Sequence, residues 1–150
     1  MEIERKFLVP SPPPHLTKAR GKQIRQGYFS LCSKNVEIRL RQIGSEHVLT
    51  IKAGQGKVRI EEELPLSKQR FQLLWPLVRD ACVIKTRYKL PCNGHVIELD
   101  VYQQRHHGLI TADVEFKTLR DSRQFKPPAW FGREVTGNRQ YANETLAHRN

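Results

Sequence analysis

The first six residues of the chain read MEIERK, and four of them, Glu2, Glu4, Arg5 and Lys6, have an ionisable side chain. In a β-strand, alternate side chains point to the same face, so Glu2, Glu4 and Lys6 would share one face. Two carboxylates and an ammonium group are a poor apolar surface but a suitable site for a divalent cation with a phosphate beside it. A charged edge strand in solvent has the same pattern, so the motif needs support from the rest of the chain.

The same alternation returns in later segments that are typical of short strands. These segments are residues 24–32, 36–43, 47–53, 57–66, 82–90, 95–102 and 109–118. Nearly all of them carry Val, Ile or Leu on one face and charged side chains on the other. Together with the first segment they predict about eight antiparallel strands and a mainly β fold, as in barrels and sandwiches.

Helices have a minor part in the predicted fold. Ser67 is typical of a helix N-cap, and the apolar spacing after it predicts a helix over 69–81 that Pro76 ends or kinks. A short final helix is predicted over 140–147, and residues 15–23 are predicted to form a loop. Because no internal repeat or linker interrupts the pattern, we predict a single domain over 1–150.

The charged faces have two explanations. In the first, the apolar faces form the core and the charges lie in water, where opposite charges pair across strands. In the second, the charges line the lumen of a barrel, and the apolar faces pack outward against helices and loops. Acidic pairs lie on some strands and basic pairs on others, which suits a metal triphosphate: carboxylates bind Mg²⁺ or Mn²⁺, and Arg and Lys bind phosphate oxygens.

The formal net charge of +11 indicates a polyanionic partner. Zinc-finger spacing, an aromatic RNA-binding motif and a long basic helix are absent from the sequence, which disfavours nucleic acid. The 3 cysteines are widely spaced, which disfavours disulfides and structural zinc and favours a reducing compartment. No apolar run approaches the ~18 residues that a membrane span needs, and no secretory leader is visible. We therefore expect a cytoplasmic protein with a small polyanionic substrate.

The ordered series of charged motifs resembles the CYTH or triphosphate tunnel metalloenzyme superfamily, and it is most similar to small bacterial inorganic tripolyphosphatases. The signature ExExK stands at residues 2–6. The motifs that follow are EIRLR at 37–41, LTIK at 49–52, RIEEE at 59–63, KTRY at 85–88, ELDV at 98–101 and VEF at 114–116. The tail WFGREVT at 130–136 is similar to that of short bacterial members.

This resemblance implies a closed eight-stranded antiparallel β-barrel around a tunnel, with a few flanking helices and a Mg²⁺ or Mn²⁺ cofactor. The metal carboxylates that it implies are Glu2, Glu4, Glu61, Glu63, Asp113 and Glu115, although Asp113 stands where the family often has Glu. The phosphate-binding cations that it implies are Lys6, Arg39, Arg41, Lys52, Arg59, Lys85 and Arg87. Asp100 is similar to a tunnel carboxylate that orients a basic partner. For each of these residues, a purely structural ion pair is the alternative.

The implied reaction is metal-dependent hydrolysis of the terminal phosphate of a linear triphosphate, inorganic tripolyphosphate above all, to pyrophosphate and orthophosphate. Lys6, Glu4 and Glu115 are the catalytic candidates, and the water is activated either by Lys6 or by a carboxylate that orients it. Nucleoside triphosphatase, thiamine triphosphatase and adenylate cyclase are alternatives from the same superfamily. A non-catalytic module that binds polyphosphate or RNA ends is an alternative of another class. The sequence leaves a homodimer open.

Overall fold

A computed structural model describes residues 3–18, 20–33, 35–54 and 60–149. Its strands are β1 Ile3–Leu8, β2 Gly21–Tyr28, β3 Val36–Ile43, β4 Glu46–Ala53, β5 Ile60–Pro65, β6 Cys82–Cys92, β7 His95–Tyr102 and β8 Ile110–Phe116. The α-helices in the described residues are α1 Lys68–Leu74, α2 Leu119–Gln124 and α3 Asn143–His148. The predicted mainly β fold, an antiparallel sheet of 8 strands with few helices, is confirmed.

Closure of the sheet was part of the prediction. Within the described residues, β1 has β8 as its strand partner and β5 has β4. Hydrogen bonds between strands therefore do not close the sheet in the part that the structure describes. The barrel around a tunnel stays a prediction.

The chain divides into two compact units, each with its own part of the sheet and its own apolar core. The first unit comprises residues 1–22 and 85–141, and its ladders join β1 to β8, β8 to β7 and β7 to β6. The second unit comprises residues 23–84 and 142–150, and its ladders join β2 to β3, β3 to β4 and β4 to β5. The prediction of a single domain stays a prediction.

The apolar face of the first unit is covered by α2 and the tail. Its buried side chains include Phe7, Ala112, Val114 and Phe116, which alternate with the charged residues of β1 and β8. The ring of Phe7 lies 4.8 Å from that of Phe131, and the ring of Phe116 lies 5.4 Å from that of Phe125. Such aromatic pairs contribute about 0.5–1.5 kcal/mol each beyond their buried area.

The side chain of Arg5 lies on the apolar side of β1, where it binds α2 and the C-terminal tail, and not on the charged face. Its guanidinium binds both carboxylate oxygens of Glu134 at 2.7 and 3.1 Å. It also donates to the carbonyl oxygens of Ser122 and Phe125 at 2.8 and 3.2 Å. The alternation predicted from the first six residues therefore separates a structural cation, Arg5, from Glu4 and Lys6.

In the second unit, α1 covers the apolar face of the sheet. Phe71 of α1 and Leu40 of β3 are buried together with Val78. Gly27 lies under Val78, and a Cβ there would stand 2.5 Å from Val78 Cγ2, so only glycine permits this approach. The apolar faces of both units thus pack against helices and loops, which both explanations of the charged faces allow.

Most predicted elements are confirmed, with three corrections. Ser67 caps α1 by accepting a hydrogen bond from Arg70 N, and the α-helix ends at Leu74, before Pro76, rather than running to 81. The predicted loop at 15–23 was wrong, because a 3₁₀ helix occupies Pro14–Lys18 and β2 begins at Gly21. The helix α2 was not predicted, because it is short and has no apolar period. Across the described residues, no helix has the length and apolar character that a membrane crossing requires.

Candidate active site

The face of the first unit opposite its apolar core carries charged and polar side chains on all of its strands. We call it the first-unit polar face. One row across the strands consists of Lys6, Asp113, Glu98 and Lys89. The next row consists of Leu8, Thr111, Asp100 and Arg87, and Glu4 lies directly opposite Glu115. The register therefore brings together the candidates that the sequence places on four separate segments.

Asp100 is the centre of an ion-pair network on this face. Its carboxylate is fully buried and accepts from Lys85 Nζ at 2.8 Å and from Arg87 Nε and Nη2 at 2.8 and 2.9 Å. Burial alone raises the pKa of Asp100, but the charge of Lys85 and the hydrogen bonds from Arg87 outweigh burial and hold this pKa below its ordinary 3.8. Asp100 is therefore a charged anchor that fixes the directions of two cations.

Lys85 and Arg87 differ in what they leave available to a ligand. Lys85 is fully buried, and its ammonium lies 5.4 Å from the centroid of the Tyr102 ring. Arg87 is partly exposed, and its Nη1 also donates to Glu98 at 3.1 Å. Burial lowers the pKa of Arg87, but the hydrogen bonds and charge of Asp100 raise it above its ordinary value, so the guanidinium stays charged.

Residues of the C-terminal segment 135–141 form hydrogen bonds with three atoms of Lys6. Val135 N donates to Lys6 O at 2.8 Å, and Lys6 N donates to Thr136 Oγ1 at 3.0 Å. Lys6 Nζ donates to Tyr141 O at 3.2 Å and lies 3.7 Å from Asp113 Oδ1. The tail residues that resemble the family motif thus position a predicted phosphate-binding cation.

Asp113 is a buried carboxyl group with an unsatisfied oxygen. Its Oδ1 accepts no hydrogen bond from the described residues, because the ammonium of Lys6 at 3.7 Å is too distant to donate one. Burial raises the pKa of Asp113 to about 7, a change that the charge of Lys6 opposes and the charges of Glu4 and Asp100 reinforce. This oxygen is a position for a proton or a cation.

The carboxylates on this face fit a hard divalent cation. Glu4 and Glu115 lie directly opposite each other on adjacent strands, and Asp113 lies two residues from Glu115 on the same face. Among the described residues, no group of three or more acidic, His or Cys side chains is close enough to enclose a metal. Mg²⁺ commonly takes only one or two protein carboxylates, and substrate phosphates and waters complete its coordination. The pair of Glu4 and Glu115, with the carboxyl group of Asp113 beside it, suits this mode of Mg²⁺ coordination.

The raised pKa of Asp113 predicts a specific dependence of stability on pH. Between its ordinary pKa of 3.8 and about 7, the folded protein binds a proton that the unfolded chain has lost. Without metal, the free energy of unfolding should therefore fall as the pH rises through this window. Urea unfolding in chelator from pH 4 to 8 measures it. The Asp113→Asn variant should lose this component, and the exposed Asp80→Asn control should keep it.

The second unit presents a comparable face, on which three of the other predicted cations lie: Arg39, Arg41 and Lys52. Arg39 and Arg41 of β3 lie opposite Tyr28 and Gln26 of β2. Lys52 of β4 lies opposite both Glu37 and Glu61, and its Nζ is 4.0 Å from Glu61 Oε1. Glu63 shares this face of β5 and lies opposite Thr50. Both glutamates are exposed, and their role as metal carboxylates stays a prediction.

Two predicted site residues, Glu2 and Arg59, lie outside the described residues. No site role was predicted for Gln26, Glu98 or Tyr141, each of which binds a predicted site cation directly. The position of Glu98 on the polar face could be predicted, because it lies two residues from Asp100 on the same strand. For Tyr141 no local signal exists, because its contact with Lys6 spans most of the chain.

The fold and these faces define a mainly β protein whose sheet presents carboxylates and cations together. The model of the CYTH domain family matches residues 1–148, and the chain belongs to this family. An inorganic triphosphatase of Nitrosomonas europaea is 40% identical over 148 residues, which are 97% of this chain and 96% of that protein. An inorganic triphosphatase of Acetivibrio thermocellus is 33% identical over 97% of this chain and 92% of that protein. A crystal structure of an inorganic triphosphatase superposes with a TM-score of 0.82 at 37% identity and covers 100% of this chain and 96% of that one.

Proposed function

We propose that this protein is a divalent-metal-dependent inorganic triphosphatase that hydrolyses tripolyphosphate to pyrophosphate and orthophosphate. One observation carries the proposal: the opposed pair Glu4 and Glu115 lies beside Lys6 on a sheet face that also presents Arg87. A pure anion-binding surface gains nothing from paired carboxylates. The inorganic triphosphatase activity of relatives that match nearly the whole chain supports the same assignment.

The residues on the face have separable roles in this reaction. Lys6 lies two residues from Glu4 on one face, so a phosphate held by Lys6 is next to a cation held by Glu4 and Glu115. A bound Mg²⁺ or Mn²⁺ supplies Lewis-acid polarisation of the phosphate oxygens and neutralises their charge. Arg87, directed by Asp100, binds phosphate oxygens as a fixed fork.

Hydrolysis then needs a water molecule in line with the terminal phosphoanhydride bond. The water oxygen forms a bond to the terminal phosphorus, the bridging oxygen leaves with pyrophosphate, and the water gives up a proton. We assign this proton to Asp113 Oδ1, which is buried next to Lys6 and accepts no hydrogen bond from the described residues. Lys6 is an ammonium donor in this arrangement, since it donates to Tyr141 O and faces a carboxyl group. Its part is therefore to bind the terminal phosphate.

Phosphate release from tripolyphosphate, ATP and thiamine triphosphate, each with Mg²⁺, Mn²⁺ or chelator, tests the proposal. We expect turnover with metal only and preference for tripolyphosphate. Preference for ATP or thiamine triphosphate would assign another triphosphate to the same face. Tight tripolyphosphate binding in chelator, without turnover in either metal, would identify a polyanion-binding module instead.

A further inference from the structure

Gln26 is a fully buried polar side chain on β2, and it lies directly opposite Arg41 of β3. Its Oε1 accepts from Arg41 Nε at 2.9 Å, and its Nε2 donates to the Tyr28 hydroxyl at 2.8 Å. Because an arginine Nε can only donate, the amide oxygen must face Arg41, and the amide nitrogen must face Tyr28. The Gln26 amide is thus fixed at both ends.

Arg39 and Arg41, two residues apart on this face, differ at the Nε atom. Arg41 Nε donates to Gln26, whereas Arg39 Nε is buried and has no hydrogen-bond partner among the described residues. Burying a charged donor without an acceptor is costly, so such a donor marks a position for an anionic oxygen from a ligand. One arginine is therefore already oriented by the protein, and the other has a donor that a ligand can satisfy.

We propose that Gln26 is a positioning residue that sets the affinity for tripolyphosphate by holding Arg41 in its phosphate-binding orientation. The Tyr28 hydroxyl fixes the orientation of the Gln26 amide by accepting a hydrogen bond from it. Arg41 and Arg39 then present N–H donors to the same phosphate group. Arginine has a large rotamer entropy, so fixing Nε before binding removes part of the cost of ordering the side chain around the substrate. This inference rests on the proposed function and adds a determinant of substrate affinity to it.

The chain supplies a matched control on the other face of the same two strands. Arg25 Nε donates to Gln42 Oε1 at 2.9 Å, the same bond between the same residue types. Arg25 and Gln42 lie opposite each other in the β2–β3 ladder, one position along from Gln26 and Arg41. The guanidinium of Arg25 packs over the rings of Trp75 and Phe71, so this pair belongs to the helix-covered face.

The experiment compares the Gln26→Met and Gln42→Met variants of the full chain. We expect Gln26→Met to raise the KM for tripolyphosphate roughly tenfold and to change kcat less than about twofold, because the lost bond orients a ground-state phosphate contact. Gln42→Met should leave both constants unchanged. In an Arg41→Met background, Gln26→Met should have no further effect on KM, since Gln26 acts through Arg41.

Tripolyphosphate binding in chelator, measured by calorimetry, gives a readout that is independent of turnover. Tyr28→Phe retains the buried ring, removes only the hydroxyl, and should raise KM roughly threefold; it decides the question if Gln26→Met does not fold. If the wild type is active but the folded Gln26→Met and Tyr28→Phe variants keep its KM, this inference is wrong and the proposed function stands. The same holds if Gln26→Met still raises KM in the Arg41→Met background. A wild type that neither binds nor hydrolyses tripolyphosphate overturns the proposed function as well.

Discussion

Replacing Glu115 with glutamine is expected to reduce metal-dependent tripolyphosphate turnover at least about 100-fold, since a metal contributes several kcal/mol of charge stabilisation and each 1.36 kcal/mol is a factor of ten. Glu115 lies directly opposite Glu4, and like charges directly opposite each other destabilise a sheet. Without metal, the free energy of unfolding should therefore stay within about 1 kcal/mol of the wild type or rise. Glu4→Gln should have the same two effects.

Thermal unfolding with and without Mn²⁺ separates this explanation from a structural one. A cation that binds only the folded state raises the Tm of the wild type, and either glutamine variant should lose most of that increase. Glu62→Gln is the matched control, because Glu62 lies on β5 opposite Ile51 and on the face away from the predicted site carboxylates of that strand. Full turnover in Glu115→Gln, or an equal loss in Glu62→Gln, would contradict a metal-binding role for the Glu4–Glu115 pair.

The strands and the faces of the site residues were predictable because alternation is a local property. Glu4 and Lys6 fall on the face opposite Arg5 from their spacing alone, and the structure keeps them there. The register of β6 and β7 also follows from a local sequence signal. Asn93 and Gly94 both have positive φ in a two-residue turn, and counting outward from Cys92 and His95 places Arg87 opposite Asp100.

Contacts between segments that are distant in the chain could not be predicted from the sequence. The carbonyl group of Tyr141 and the backbone of Val135 bind Lys6 across a separation of about 130 residues, and no local spacing encodes such a contact. The burial of individual side chains could not be predicted either. Lys85 and Lys89 share one strand and one charged pattern, yet Lys85 is fully buried and Lys89 is exposed. The difference arises from packing around Asp100, which only the assembled sheet provides.

The Asp100→Asn variant is expected to lose about 3–5 kcal/mol of stability, because it removes the negative charge that pairs with the buried ammonium of Lys85 at 2.8 Å. The asparagine side chain also offers one acceptor oxygen where the carboxylate accepts three hydrogen bonds. Arg87 then loses its fixed direction, so the KM for tripolyphosphate should rise as well. Urea unfolding at pH 7 measures the first effect, and steady-state kinetics at a temperature where the variant is folded measure the second.

Glu98→Gln is the control for this variant, because Glu98 binds the same arginine from the same strand but is partly exposed. The Glu98→Gln variant should lose less than about 1 kcal/mol of stability. The contribution of Asp100 is present above pH 3.8, its ordinary pKa, and is lost as the pH falls through the lower pKa of the folded state. The difference in stability between wild type and Asp100→Asn should therefore shrink in acid. Equal losses in the two variants, or a difference that is constant down to pH 2, would mean that Asp100 does not act as a buried counter-charge.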